Sequence, residues 1–599
     1  MKRIPHFITT NKKESRPKRA IFFDTETKST PLPGGGSRLE LKLGWACYWD
    51  RPDRESYTSL EWEFFTTKEG FWAFLQKHLD PDDDLYLIAH NIAFDFRIVG
   101  GFDHARSERW WIDFLYSKGM TTLLEYQTGQ GTLMLLDMGN FFPATLAEIG
   151  EVVGVPKTEI DFNACSWQEL ADYCRNDVAI LVKAWEAWLS FLDQHDLGDF
   201  RLTLAAQAMA AYRHSFMDHG IKVHADKSVC ELERAAYRGG RVECFSVGDL
   251  SGEVFYQLDV NGMYCAMMSW YEYPRLLKSW PLSLNLRQLR ATIKKHCVIA
   301  RVILTTDIPA FPLRAGSFNI YPIGTFQAVL STPELEFALE HCKVLKIGRV
   351  AIYEKAPLFA AYASYFARLK EQYDKEGNKP FRAIAKKLSN SLYGKFGQTD
   401  IETDLSFEMP PLAPREAPYY DWRTQHWCRI YKLGYQTVYE RSGGESFNSF
   451  PAIPAHVTAY ARMYLWSLIE KAGPENVFYC ATDSLLVNQR GFDNLEPLVD
   501  DHKLGYLKVQ NVSACLEIWG PNNFRMGEVL KSGGIRKSAK QLGHNLYEQD
   551  KFLGLRGAVR VGDPDLVTVK KIRKRMHRRI KTGVVTPTGK IDPFRLDLP

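Results

Sequence analysis

The chain has 599 residues, 45% of them hydrophobic and 25% charged, and a formal net charge of +5 at pH 7. That length exceeds one ordinary core and predicts several packed units, while the apolar-to-charged balance excludes a disordered or fibrous class. No apolar run reaches the roughly 18 residues of a membrane span, and the polar start MKRIPHFITTNKKESRPKRA lacks a secretory apolar core; the expectation is a soluble, cytoplasmic monomer with no membrane partner.

Eleven cysteines are scattered without a C-x-x-C pair or a Cys/His cluster at zinc spacing, which predicts neither a disulfide framework nor a structural metal. Basic residues bunch in the first 19 positions and in KKIRKRMHRRIK at 570–581. By itself such a run reads as a solvated helix face, and it gains meaning only if nucleic-acid chemistry is found elsewhere.

In chain order, AIFFDTET from residue 20 reads as a strand. A strand's period of two sends Asp24 and Glu26 to one face, where both carboxylates can share a divalent cation. LYLIAHNIAFDF is an apolar strand followed by Asn91, Phe94 and Asp95, and DVAILVKAWEAWLSFL reads as a long helix headed by YCRND. In that helix Tyr173 and Asp177 stand at i, i+4, one above the other. Asp24, Glu26, Asp95 and Asp177 are hard oxygen ligands suited to two divalent ions that activate a water and stabilise a leaving 3′-oxygen. Tyr173 can orient that water, and Asn91 and Phe94 can hold and stack an unpaired 3′ end.

Farther on, VFYQLDVNGMY places Asp259 at a strand end with Tyr264 five residues later, and NVFYCATDSLLV places Asp483 in the turn of a hairpin. Between them FAAYASYFARLKEQY and PFRAIAKKLSNSLYG read as helices. Arg382, Lys386, Asn390 and Tyr393 share one face of the second, a positive stripe able to grip a triphosphate while the tyrosine meets its base or sugar. EMPPLAPREAPYY reads as a loop or extended insertion because proline fixes φ and removes a donor.

The order D-x-E, N-x-x-F-D and Y-x-x-x-D resembles the three exonuclease motifs of proofreading family B DNA polymerases. K-x-x-x-N-S-x-Y-G, complete in Lys386, Asn390, Ser391, Tyr393 and Gly394, resembles their motif B; Asp259 with Tyr264 resembles motif A, and Thr482, Asp483 and Ser484 motif C. Tyr237, Gly239 and Gly240 (Y-x-G-G), Lys157 in PKTEIDF, and Thr458 and Arg462 in TAYAR resemble motifs of the protein-primed branch known from small bacteriophages and linear plasmids. The resemblance covers residues 20–560.

It implies an α/β and α+β multidomain chain: an RNase H-like 3′→5′ exonuclease domain, then a palm, fingers and thumb body with two insertions. The expected boundaries are 1–197 exonuclease with a basic N-terminal arm, 198–270 palm, 271–361 first insertion, 362–397 fingers, 398–448 second insertion, 449–560 palm and 561–599 thumb or basic C-terminal region. It also implies two Mg²⁺ or Mn²⁺ ions per active site, with Asp259 and Asp483 holding the polymerase pair. Tyr264 would exclude a ribose 2′-hydroxyl, and Lys157 would stabilise charge on the scissile phosphate. Asn91, Phe94, Tyr237, Gly239, Gly240, Thr458 and Arg462 would contact DNA. The partners implied are primer-template and single-stranded DNA, dNTPs and a terminal priming protein.

The sequence departs from the pattern at Ala481, where motif C usually has its first acid, and at Asn522, Asn523 and Phe524, where a K-x-Y motif is expected and Arg525 or Lys531 would have to compensate. Gly262 and Cys265 replace Ser and Pro in motif A, and Met138 and Gly139 replace a Ser/Thr-Leu pair that binds single strand. Two other readings stay open: an exonuclease whose weakened polymerase half only holds DNA, and a polymerase that uses ordinary primers or none in repair or defence.

Overall fold

The structure is a computed structural model, and it describes residues 3–54, 56–118, 121–406, 416–422 and 425–598. Its largest unit is a ten-stranded sheet in which the Arg19–Pro31 strand lies between Ser37–Asp50, antiparallel to it, and Leu85–Ala89, parallel to it. Leu85–Ala89 pairs in parallel with Thr132–Asp137. Across this sheet packs the Trp167–Gln194 helix, started by a Ser166/Glu169 capping box. Its buried stripe includes Val178, Leu181, Trp185 and Trp188.

The next unit is a five-stranded antiparallel sheet ordered Val242–Cys244, Val477–Ala481, Ser484–Asn488, Phe255–Val260 and Leu507–Ser513. The two expected helices form as Ala360–Lys375 and Lys379–Lys395 and pack on each other. Asn378 caps the second, its side chain accepting from the Phe381 amide, and Pro380 stands in the first turn, where a missing N–H costs nothing. Among the described residues no helix is long and apolar enough to cross a membrane.

Strand pairing cuts across the expected boundaries. His6–Ile8 leaves the N-terminal unit to pair with Ile221–Val223, and Arg595–Asp597 returns from the C-terminus to pair with Ile323–Ser331, so both chain ends join one seven-stranded sheet built around 273–356. The basic 570–581 run is not a helix: Thr568–Arg575 is a strand paired with Leu546–Phe552 on one side and with Ser37 and Arg38 on the other. Thr568, Val569 and Ile572 lie partly buried among its exposed cations; β-branched residues at these positions favour the pleated chain over a helix.

Thr399–Ser406, Glu416–Asp421, His426–Leu433 and Gln436–Glu445 form a four-stranded antiparallel sheet. In the proline-rich stretch expected to be a loop, Glu416–Asp421 is the edge strand of that sheet, where proline's missing donor is tolerated; 408–415 lie outside the described residues.

Candidate active sites

Asp24 and Glu26 face the Trp167–Gln194 helix. The Cys174 thiol from that helix lies 3.4 Å from the Asp24 carbonyl oxygen and 3.7 Å from its Oδ2. Asp95 comes from the Ile92–Ile98 helix, and Thr25, buried between the two acids in sequence, donates its hydroxyl to Asp95 Oδ1 at 2.6 Å. Lys157 pairs with Asp177, and its ammonium stands 4.2 Å from the centre of the Tyr173 ring. The four expected carboxylates, the tyrosine and the lysine therefore gather at one place.

Burial, then repulsion from Asp95, Asp177 and Glu26, pushes the Asp24 carboxyl well above the usual range. Burial and Asp177 lift Glu26 to about 7, and burial lifts Asp95 to about 7 against the Thr25 hydrogen bond. Asp177 is raised by burial, with Lys157 opposing, and its Oδ1 is buried without a hydrogen-bond partner. Crowded carboxylates with an orphaned oxygen are the donor set that divalent cations relieve, so these residues fit the expected metals.

Asn91 adopts a left-handed conformation, φ 73°, which asparagine tolerates better than most residues. The loop is braced by Asp137, which accepts from the Asn91, Ile92 and Gly139 amides at 3.3, 3.0 and 2.8 Å. Asn91 is exposed, and Phe94 meets Phe552 of the C-terminal hairpin edge to face. Gly139 thus supplies a backbone amide to this brace where the resemblance expected a side chain for single strand.

The second centre is a cavity of about 630 Å³ lined by Asp259, Tyr264, Lys370, Arg382, Lys386, Asn390 and Asp483. Asp259 is paired with Ser484 across adjacent strands, and the Val260 amide donates to the Asp483 carbonyl at 2.7 Å. Thr482, a β-branched residue, is held at φ 62°, a strained conformation that persists only where its surroundings impose it. Its amide donates to the Arg241 carbonyl at 2.6 Å. A Cβ on Gly240 would stand 2.9 Å from both Thr482 Cγ2 and the Tyr264 hydroxyl, so the second glycine of Y-x-G-G is a packing requirement of the turn that carries Asp483.

Tyr264 stacks on Tyr393, with centroids 5.1 Å apart. Burial and Asp483 raise Asp259 to about 6, with Lys386, Lys370 and Lys531 opposing. Asp483 is raised by burial, with Lys386 and Lys531 opposing. Two oxygen-donor acids under repulsion again fit divalent cations. Lys531 is paired with Phe524 across a hairpin, its ammonium 5.8 Å from that ring. Arg525 instead donates to the Tyr547 hydroxyl at 2.9 Å. Of the two substitutes for the K-x-Y lysine, Lys531 is the one whose charge reaches both acids.

Two of the residues expected to contact DNA lie inside the protein. Arg462 and Thr458 lie on the Ala452–Ala472 helix, buried on most of its circumference, and are 2% and 1% exposed. Arg462 pairs with buried Glu334 at 2.6 Å and donates to the Gly239 carbonyl, and Thr458 donates to the Pro454 carbonyl at 2.8 Å. Both act inside the protein; Arg462 fixes the Gly239 turn from behind. Tyr237 is half-buried, wedged where a Cβ on Gly397 would approach it to 2.8 Å.

Sequence reasoning missed Asp137, Thr25 and Lys370. Lys370 carried a readable signal: it continues the Tyr362, Phe366 apolar stripe at i+4 spacing, where a solvated lysine does not belong.

One acid at a strand end and one in a hairpin turn thus lie beside a helix-borne row of cations, and a separate acid cluster lies on another sheet. Residues 157–410 match the family of DNA polymerase type B, organellar and viral. A DNA polymerase of Kluyveromyces lactis is 26% identical over 374 residues, 57% of this chain and 34% of that protein. A probable DNA polymerase of Neurospora intermedia is 21% identical over 437 residues, 68% of this chain and 44% of that protein. The chain spans less than half the length of these curated relatives. Phi29 DNA polymerase complexed with primer-template DNA and incoming nucleotide substrates shares the fold, with a TM-score of 0.66 at 17% identity over 94% of this chain and 100% of that one. The same polymerase complexed with single-stranded DNA gives 0.66 at 16% identity. Over residues 157–410 the chain is similar to type B DNA polymerases of the organellar and viral kind, and 94% of it shares the fold of phi29 DNA polymerase.

Proposed function

We propose that this chain is a template-directed DNA polymerase with a 3′→5′ proofreading exonuclease, and that its synthesis starts from a protein primer. The observation that carries the reading is the cavity in which Asp259 and Asp483 stand opposite Lys386 and Arg382. Bound Mg²⁺ or Mn²⁺ would supply Lewis acidity to the attacking and leaving oxygens there. The chain's own part is positional. Asp259 and Asp483 hold the cations, Lys386 and Arg382 draw the triphosphate, and Tyr264, fixed by Tyr393, borders the sugar. In the exonuclease centre Asp24, Glu26, Asp95 and Asp177 hold cations, Tyr173 orients water, and Lys157 faces the scissile phosphate. Exposed Asn91 and half-buried Phe94 receive the 3′ end.

The domain division expected from the sequence stands within this reading as a proposal, with 561–599 as the thumb or basic C-terminal region. The ground for protein priming is the pair of insertions, 271–361 and 398–448. Ala481 favours a second reading, in which synthesis is lost and the exonuclease alone works.

Extension of a labelled primer on a defined template, with each dNTP supplied singly, tests the proposal. Incorporation only of the nucleotide complementary to the template base is expected. Degradation without incorporation under Mg²⁺ and Mn²⁺ would leave the exonuclease reading.

A further inference from the structure

Behind the turn that carries Asp483 lies a buried ion pair that takes no part in the chemistry of the cavity. Arg241 and Glu243, two residues apart in extended chain and so on one face, are 1% and 4% exposed. Arg241 Nε donates to Glu243 Oε2 at 2.8 Å, and Nη2 stands 2.6 Å from the same oxygen. Around the guanidinium three rings close in, their centres 4.0 Å away for Tyr321, 4.9 Å for Trp466 and 5.7 Å for Phe245. Nη1 is buried without a hydrogen-bond partner, so the rings and the one carboxylate hold this side chain.

The backbone of the same residue reaches the turn. The Arg241 carbonyl accepts from the Thr482 amide, and Val242 is in register with Ala481. Val242–Cys244 is a three-residue edge strand of its sheet, too short to hold a strained turn by pairing alone. Thr482 at φ 62° persists only where its surroundings impose that conformation. Ala481 leaves Asp483 as the one acid of the 481–484 turn, so an error in its placement is not shared with a neighbour. A buried ion pair stabilises little more than apolar side chains of the same volume; what it adds here is direction.

We propose that Arg241 is a positioning residue for Asp483: Glu243 and the rings fix Arg241, its carbonyl fixes Thr482, and Thr482 aims the carboxylate that follows. Tyr321 lies between the Phe318–Ile320 and Ile323–Ser331 strands, so the 271–361 segment supports the centre although none of its described residues lines the cavity. The inference rests on the polymerase reading and deepens it. A lysine at 241 would keep the charge but lose the planar fork and the stacking.

The test compares the full chain with Arg241→Met/Glu243→Leu, which removes both charges and refills their space, with Arg241→Lys and with Tyr321→Leu. A misplaced acid predicts a kcat for dNTP incorporation lowered roughly 10- to 100-fold and a higher Mg²⁺ requirement, with KM for dNTP and exonuclease turnover unchanged. The Tm of the double variant should stay close to the parent's, which separates positioning from a general loss of stability, and Arg241→Lys should not restore kcat. Parental kcat and Mg²⁺ requirement in the folded double variant, or full activity in Arg241→Lys, would overturn the inference. If the double variant does not fold, Tyr321→Leu decides by the same two quantities. Mn²⁺ binding by electron paramagnetic resonance, in chains that also carry Asp24→Ala/Glu26→Ala, gives a reading independent of synthesis. A parent that does not extend primers counts against the polymerase reading alone, and weaker Mn²⁺ binding in the Arg241 variant then supports the inference while equal binding overturns it.

Discussion

In the first centre four carboxylates, Asp24, Glu26, Asp95 and Asp177, gather with Lys157 paired to Asp177, whereas the second cavity is lined by five carboxylates, Asp259 and Asp483 among them, and five cations, Lys370, Lys386 and Arg382 among them. Burial is the main force raising the acids in both places, Glu26 and Asp95 to about 7 and Asp259 to about 6. The first centre is richer in unpaired acid; the second sets cations beside its acids, which on the proposed reading would suit a polyanion arriving with its own metal. Ala481 pushes that contrast further by removing an acid from the second centre.

The contrast can be broken by disturbing the turn of one centre alone. Gly240→Ala would drive a methyl against Thr482 and Tyr264; overpacking of about 1–3 kcal/mol predicts a ten- to hundredfold fall in primer extension with exonuclease turnover kept. Equal loss of both activities in an extension and degradation assay would show that the centres are not separable.

Sharpening it is the purpose of Ala481→Asp. A third acid beside Asp483 should lower the Mg²⁺ concentration for half-maximal extension by several-fold, on the order of tenfold at most, and leave the metal dependence of degradation unchanged. An identical titration would mean that Ala481 lies outside the metal shell.

The smallest effect concerns stability. Glu26 and Asp95 have folded-state pKa values near 7, above their ordinary carboxylate values, so they bind protons more tightly when folded. Their stabilising contribution is fully present below the unfolded pKa and is lost as pH rises through about 7. In metal-free buffer thermal unfolding should therefore shift downward across that window, and saturating Mg²⁺ should restore it. The double substitution Glu26→Gln/Asp95→Asn should flatten the metal-free pH dependence, as seen by calorimetry.

The site was legible in the sequence wherever chemistry and periodicity coincide. Asp24 and Glu26 share a strand face, and Lys386, Asn390 and Tyr393 a helix face, because two-residue and 3.6-residue periods dictate it. What stayed hidden depended on pairing between distant segments. Nothing local shows that His6–Ile8 and Arg595–Asp597 would join one sheet, or that Glu334 would take Arg462 inside the protein. Asp137 was invisible for a related reason: its three bonds go to backbone amides, which carry no residue signature. Lys570–Arg575 misled because charge runs suit a helix face and an exposed strand equally well until the partner strand is known.

The central claim, two separate centres of different charge balance, is tested most directly by one assay of primer extension and primer degradation on Asp483→Ala and on Asp24→Ala/Glu26→Ala. The account predicts reciprocal loss. Asp483→Ala should reduce extension on the order of a hundred- to a thousandfold while degradation continues, and the double variant should stop degrading while it extends. Extension that survives Asp483→Ala, or one variant that removes both activities from a folded chain, would contradict it.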